Sequence, residues 1–164
     1  MLKLARSLLP LVLLPSLAAA QEVIRHALPN GSKFPIAASV EVPPGKTIVY
    51  LSGMVPPIVD PKAAKDSTAA YGDTRMQTIG ALQAIQAELE TLHLTMGDVV
   101  KMQAFLVGDP SQGGHMDFAG FMQGYTQFFG TAVQPNLPVR SALQVMALAN
   151  PGFLVEIEVT AVRP

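Results

Sequence analysis

The chain has 164 residues, of which 49% are hydrophobic and 14% charged, with a formal net charge of −1. That length and composition suit one domain with a real core and exclude an intrinsically disordered chain. There is no cysteine, so a disulfide framework, a thiolate nucleophile and a cysteine-based metal site are excluded. His26, His93 and His115 form no HxH or HExxH spacing, and a metal centre is not expected.

Residues 1–20 read MLKLARSLLPLVLLPSLAAA. Two basic residues, a short apolar run broken by Pro10 and Pro15, and Ala18-Ala19-Ala20 match a secretory signal peptide. The run is too short to be a good membrane span. The expectation is an exported protein, periplasmic or secreted, cleaved after Ala20, with residues 21–164 as one domain. Losing Lys3 and Arg6 takes the net charge from −1 to −3. A mildly acidic chain without a basic stripe is a poor general binder of nucleic acid.

Glu22 to Ala27 reads as a first strand, followed by the turn cluster Pro29-Asn30-Gly31-Ser32. A short second strand spans Ala37 to Val42. Thr47 to Ser52 (TIVYLS) is a third strand rich in β-formers, predicted to pair with the second around Pro44-Gly45. Gly53 sits at its end, where a backbone without Cβ lets another group approach closely. Residues 55–72 form a long, proline-bearing loop. The stripe Met76, Ile79, Leu82, Ile85, Leu89 and Leu92 then predicts a helix from Thr74 to Leu92, with Asp73 as N-cap. His93, at its end, reads as a surface or capping residue. Val99 to Val107 is a fourth strand and 108–114 a turn-rich loop. Met116 to Phe129 is a second helix whose aromatic stripe, Phe118 through Phe129, reads as core.

The stretch from Leu137 to Glu158 reads as two more strands joined at Asn150-Pro151-Gly152. Val139, Ser141, Leu143 and Val145 alternate with Arg140, Ala142 and Gln144. Val155, Ile157 and Val159 alternate with Glu156, Glu158 and Thr160. Paired as a hairpin, the two would place Arg140 and the glutamates together on a non-core face. A guanidinium there suits a small carboxylic acid, and equally a cross-strand ion pair. The order β-β-β-α-β-α-β-β argues an α+β domain, a mixed six-stranded sheet with two helices on one face.

Several short pieces, in this order, resemble the RidA (YjgF) family of reactive-intermediate deaminases. They are Leu51-Ser52-Gly53, Gln77-Thr78 with Ala81-Leu82, Gly97-Asp98-Val99-Val100-Lys101, Tyr125 with Phe128-Phe129, Pro138-Val139-Arg140-Ser141, and Val155-Glu156-Ile157-Glu158. The resemblance covers roughly residues 35 to 162. It implies a chorismate-mutase-like fold, a homotrimer with a ligand cleft at each subunit interface, and hydrolysis of enamines and imines to 2-keto acids and ammonia without a metal or organic cofactor. It further implies that Arg140 binds the substrate carboxylate, that Glu156 positions water or transfers a proton, and that Ser52, Gly53 and Ala142 line the cleft. Four positions depart from the family's usual polar set, namely Ser39, Met54, Met122 and Ala142. The connection from Arg140 to Glu156 is also one residue longer than usual. A kept anchor among small or apolar neighbours suits a carboxylate with a bulkier or less polar tail. The alternative is a non-catalytic trimer that binds a small carboxylate on the same anchor.

Overall fold

The computed structural model describes residues 22–164, so residues 1–20, the expected signal peptide, lie outside the described residues. Six strands and two α-helices follow the expected order: β1 (Ile24–His26), β2 (Ser39–Glu41), β3 (Ile48–Met54), α1 (Thr74–Thr91), β4 (Val99–Val107), α2 (Phe118–Tyr125), β5 (Val139–Val145) and β6 (Val155–Val162). The six strands divide in two. A four-stranded mixed sheet has the order β3-β6-β4-β5, and β1 and β2 form a separate antiparallel ribbon.

α1 starts where the Asp73 side chain accepts a hydrogen bond from Met76 N at 2.8 Å. It ends in a left-handed His93, with Leu94 N bonded to Leu89 O, and Leu89 and Leu94 both buried. That is a helix stop in which the last carbonyls are satisfied and an apolar pair seals the turn. The buried face runs through Gln77, Ala81, Leu82, Ile85 and Leu89, while Met76 turns outward. α2 is capped by Asp117, which accepts from Gly120 N. It lies so close to α1 that a Cβ on Gly124 would come within 2.7 Å of the Thr78 side chain. Only glycine permits that approach.

Both helices cover one face of the large sheet. Val155, Ile157, Val159 and Ala161 of β6 and Met102, Ala104 and Leu106 of β4 point into this layer and are buried with Leu82, Ile85, Phe121 and Tyr125. The other face carries Tyr50, Lys101, Gln103, Leu143, Glu156 and Glu158 and has no covering layer among the described residues.

Two strand pairings differ from the sequence reading. β2 pairs with β1, in the register Ile24 to Glu41, and not with β3. β5 and β6 are not a hairpin, because β4 lies between them, parallel to β5 and antiparallel to β6. β4 is the longest strand and offers both its edges for pairing, so it takes the centre. The connection 146–154 is not a tight turn. Its Asn150 side chain accepts from Gly152 N and donates to Lys65 O, and so fastens the 55–72 loop to this end of the sheet. Gln77 completes the joint, donating to Gly72 O and Gly152 O and accepting from Leu154 N at 2.7 Å. The long loop and the long connection thus pack on each other.

Candidate functional site

The sequence-predicted residues fall into two clusters on opposite faces of the sheet. The first lies on the open face. Between β3 and β6 the register slips from Leu51–Val159 to Met54–Ile157, so Ser52 and Gly53 form a bulge with one extra residue. The Glu156 side chain packs straight onto this bulge. A Cβ on Gly53 would collide with Glu156 Oε1 and come within 2.8 Å of its Cδ, so glycine is what lets the carboxylate lie there. Ser52 also borders a shallow cavity of about 290 Å³ with Tyr50, Lys101, Gln103 and Glu158. Bulges of this kind re-aim side chains beside functional sites.

The second cluster is centred on Arg140, and here the expected shared face is wrong. Arg140 pairs in register with Met102, whose side chain is buried in the helix layer, whereas Glu156 pairs with Phe105 on the other face. Arg140 and Ala142 therefore point toward α2, and Val139, Ser141 and Leu143 toward the open side, where Leu143 is 48% exposed. Alternation alone identifies two faces but does not say which is covered. Charge suggested the open face for Arg140, and an aromatic wall made the covered face habitable.

That wall is a cage of four rings. The Arg140 guanidinium carbon lies 4.3 Å from the ring centre of Tyr125, 5.0 Å from Phe121, 5.4 Å from Phe34 and 5.9 Å from Phe118. Such contacts attract a cation through the ring quadrupole, by about 0.5–2 kcal/mol each. They do not replace a counter-ion. Arg140 Nη1 is enclosed and has no hydrogen-bond partner among the described residues. Burial accordingly holds the Arg140 pKa below its usual value, with the nearby Tyr125 acting in the opposite sense. Burial likewise pushes the Tyr125 hydroxyl up to about 12, against the pull of the Arg140 cation. The Tyr125 hydroxyl donates to Pro35 O at 2.8 Å and so holds the 34–38 segment over the cage. A desolvated guanidinium with an open donor is costly until an anion meets it.

Ala142 follows Arg140 on the same face, opposite Ala104. Ser39 begins β2, where it pairs with His26 rather than joining the cage. Met54 and Met122 both pack against the core. Of the cage residues, Phe121 was legible only as part of a helical core stripe, and Tyr125 as part of that stripe and of one family-like piece. Phe34, in an irregular segment, carried no periodic signal at all. A groove of about 550 Å³ between α1 and the 131–136 loop, lined by Gln86, Glu90, Phe128 and Asn136 among others, shares no residue with either cluster. Among the described residues no three His, Asp or Glu side chains gather as a metal-binding group.

Comparison with known proteins agrees with this architecture. Residues 39–163 match the family model described as endoribonuclease L-PSP. The chain is 34% identical over 117 residues to the 2-iminobutanoate/2-iminopropanoate deaminase of Salmonella typhimurium, covering 71% of this chain and 80% of that protein. It is 34% identical over 116 residues to a RutC family protein of Haemophilus influenzae, with 71% and 79% covered. Among solved structures, the YjgF gene product of E. coli is 31% identical with a TM-score of 0.55, covering 75% of this chain and 85% of that one. E. coli TdcF with bound serine is 30% identical with a TM-score of 0.56, covering 82% and 92%. With the two-helix mixed-sheet fold and a match over most of its length, the chain belongs to the endoribonuclease L-PSP family, the RidA/YjgF family.

Proposed function

We propose that the protein hydrolyses reactive enamines or imines of small carboxylic acids to 2-keto acids and ammonia. The observation that carries this reading is Arg140, a caged guanidinium whose enclosed Nη1 lacks a partner. Arg140 as a whole is only half-buried, and a substrate carboxylate meets its accessible side in a forked, charge-assisted contact. The similarity to an imine deaminase and to a relative with bound serine supports the same chemistry. In the reaction, water adds to the imine carbon, the C–N bond breaks and the nitrogen leaves as ammonia. Glu156 takes a proton from the water and returns it to the departing nitrogen.

Within one subunit Glu156 and Arg140 face opposite ways, so the reading includes a homotrimer in which the cleft is shared. Arg140 and Ala142 sit on the edge strand β5, which has no further strand on its outer side among the described residues. The Ser52–Gly53–Glu156 cluster lies on the open sheet face, among exposed Ile48, Tyr50 and Leu143. Apolar residues spread over an uncovered sheet face support burial against another copy. Each cleft then takes Arg140 from one subunit and Glu156 of the partner subunit. Export through the N-terminal segment belongs to the same proposal.

The test is release of ammonia and keto acid from enzymatically generated imino acids, with Arg140→Ala as control. Parent turnover lost in the variant supports the reading. Binding of a 2-keto acid without any turnover by the parent would instead support a non-catalytic carboxylate binder. The separation of Glu156 from Arg140 within the subunit is what keeps that second reading in play.

A further inference from the structure

Five rings form a row that begins in the core and ends at the surface. Phe129 and Tyr125 are 5.0 Å apart, Tyr125 and Phe121 5.9 Å, and Phe121 and Phe118 6.1 Å. The row then leaves α2 and continues to Phe34, 6.4 Å from Phe118 and tilted from it by only 19°. The inner three rings are buried, whereas Phe118 is 36% and Phe34 40% exposed. Large aromatic side chains are usually withdrawn from water as far as the chain allows. Here two stay half open, and they do so against the guanidinium whose Nη1 is closed off and unpartnered.

A ligand that only neutralises Arg140 needs no such surface. A ligand with a carboxylate head and a flat apolar tail uses both features at once. Its head meets the cation, and its ring stacks on the outward side of the Phe34–Phe118 pair, extending a row already spaced for offset stacking. Two aromatic walls add stacking to burial, which an aliphatic tail gains only in part.

We infer that Phe34 and Phe118 form a specificity-determining subsite for an aromatic side chain, so that the acid taken up is an aryl-bearing 2-imino or 2-keto acid rather than the smallest members of the class. This rests on the reading of Arg140 as carboxylate anchor. It assigns to Phe34 and Phe118 a contact with the substrate tail and no part in bond breaking.

The experiment is calorimetric titration of the mature chain with phenylpyruvate and, separately, pyruvate. The parent is compared with Phe34→Leu, Phe118→Leu and Arg140→Ala, each checked for folding by its thermal melt. The parent is expected to bind phenylpyruvate about fivefold or more tighter than pyruvate, the scale of one good aromatic contact. Each leucine variant should lose most of that preference, the loss falling on phenylpyruvate well beyond any shared weakening of both acids, and Arg140→Ala should weaken both acids. Equal affinities in the parent, or leucine variants that keep the preference, overturn the subsite while a strong Arg140→Ala effect leaves the anchor standing. No effect of Arg140→Ala on either acid overturns the anchor and the subsite together. Should Phe118→Leu fail to fold, Phe34→Leu, outside the helices, decides alone.

Discussion

The opposite-face placement of Arg140 and Glu156 leads to a complementation experiment with a number attached. Arg140→Ala removes the anchor, and Glu156→Gln removes the group that takes up a proton. In the proposed trimer neither variant alone contains an intact cleft, so each should turn over near background. The two chains are co-expressed with different tags, and trimers carrying both are isolated by two affinity steps. In a closed ring of three, any mixture of the two chains contains a single junction at which an intact Arg140 faces an intact Glu156. One cleft of three is restored, and mixed trimers should therefore reach about one third of the parent rate per trimer. The assay is ammonia release from an enzymatically generated imino acid, with the trimer mass fixed by light scattering. If both residues served one ligand within the same subunit, no mixed trimer would contain a complete site. Mixed trimers at background would thus refute the shared cleft, and a monomer mass would refute the ring itself.

Other perturbations follow from single contacts. Gly53→Ala pushes a methyl into the Glu156 carboxylate, and should lower turnover by about tenfold or more through misplaced proton transfer, with pyruvate affinity unchanged in calorimetry. Gln77→Ala strands two carbonyls and the Leu154 N–H, and should cost about 1–3 kcal/mol per group left unmatched, read from the denaturant midpoint. The Tyr125 hydroxyl titrates near 10.0 when unfolded and at about 12 when folded, so the native state holds this proton longer. Its stabilising contribution is complete below pH 10 and is lost as pH rises toward 12, and Tyr125→Phe should flatten that alkaline decline in thermal melts. Mass spectrometry of exported material should find an N-terminus at or beside Gln21, and a full-length product would refute cleavage there.

Local chemistry in the sequence determined the elements. Asp73 and the 3.6-residue stripe mark α1, β-branched alternation marks β4 and β6, and the Ser52-Gly53, Arg140 and Glu156 pieces carry the family resemblance. These signals are legible because capping, helical period and strand alternation each act within a few residues. Neighbour relations were decided only in three dimensions. Adjacent strands at the C-terminus suggested a hairpin, yet β4 enters between β5 and β6, since pairing depends on backbone edges from distant parts of the chain. Alternation separates Arg140 from Val139 but carries no information about which side α2 will cover. Phe34, some hundred residues from Arg140 along the chain, joins the cage because Tyr125 holds the carbonyl of Pro35 and draws that segment across α2. The cation, its missing partner and the open rings beside it became one site only when the helix layer closed over β5.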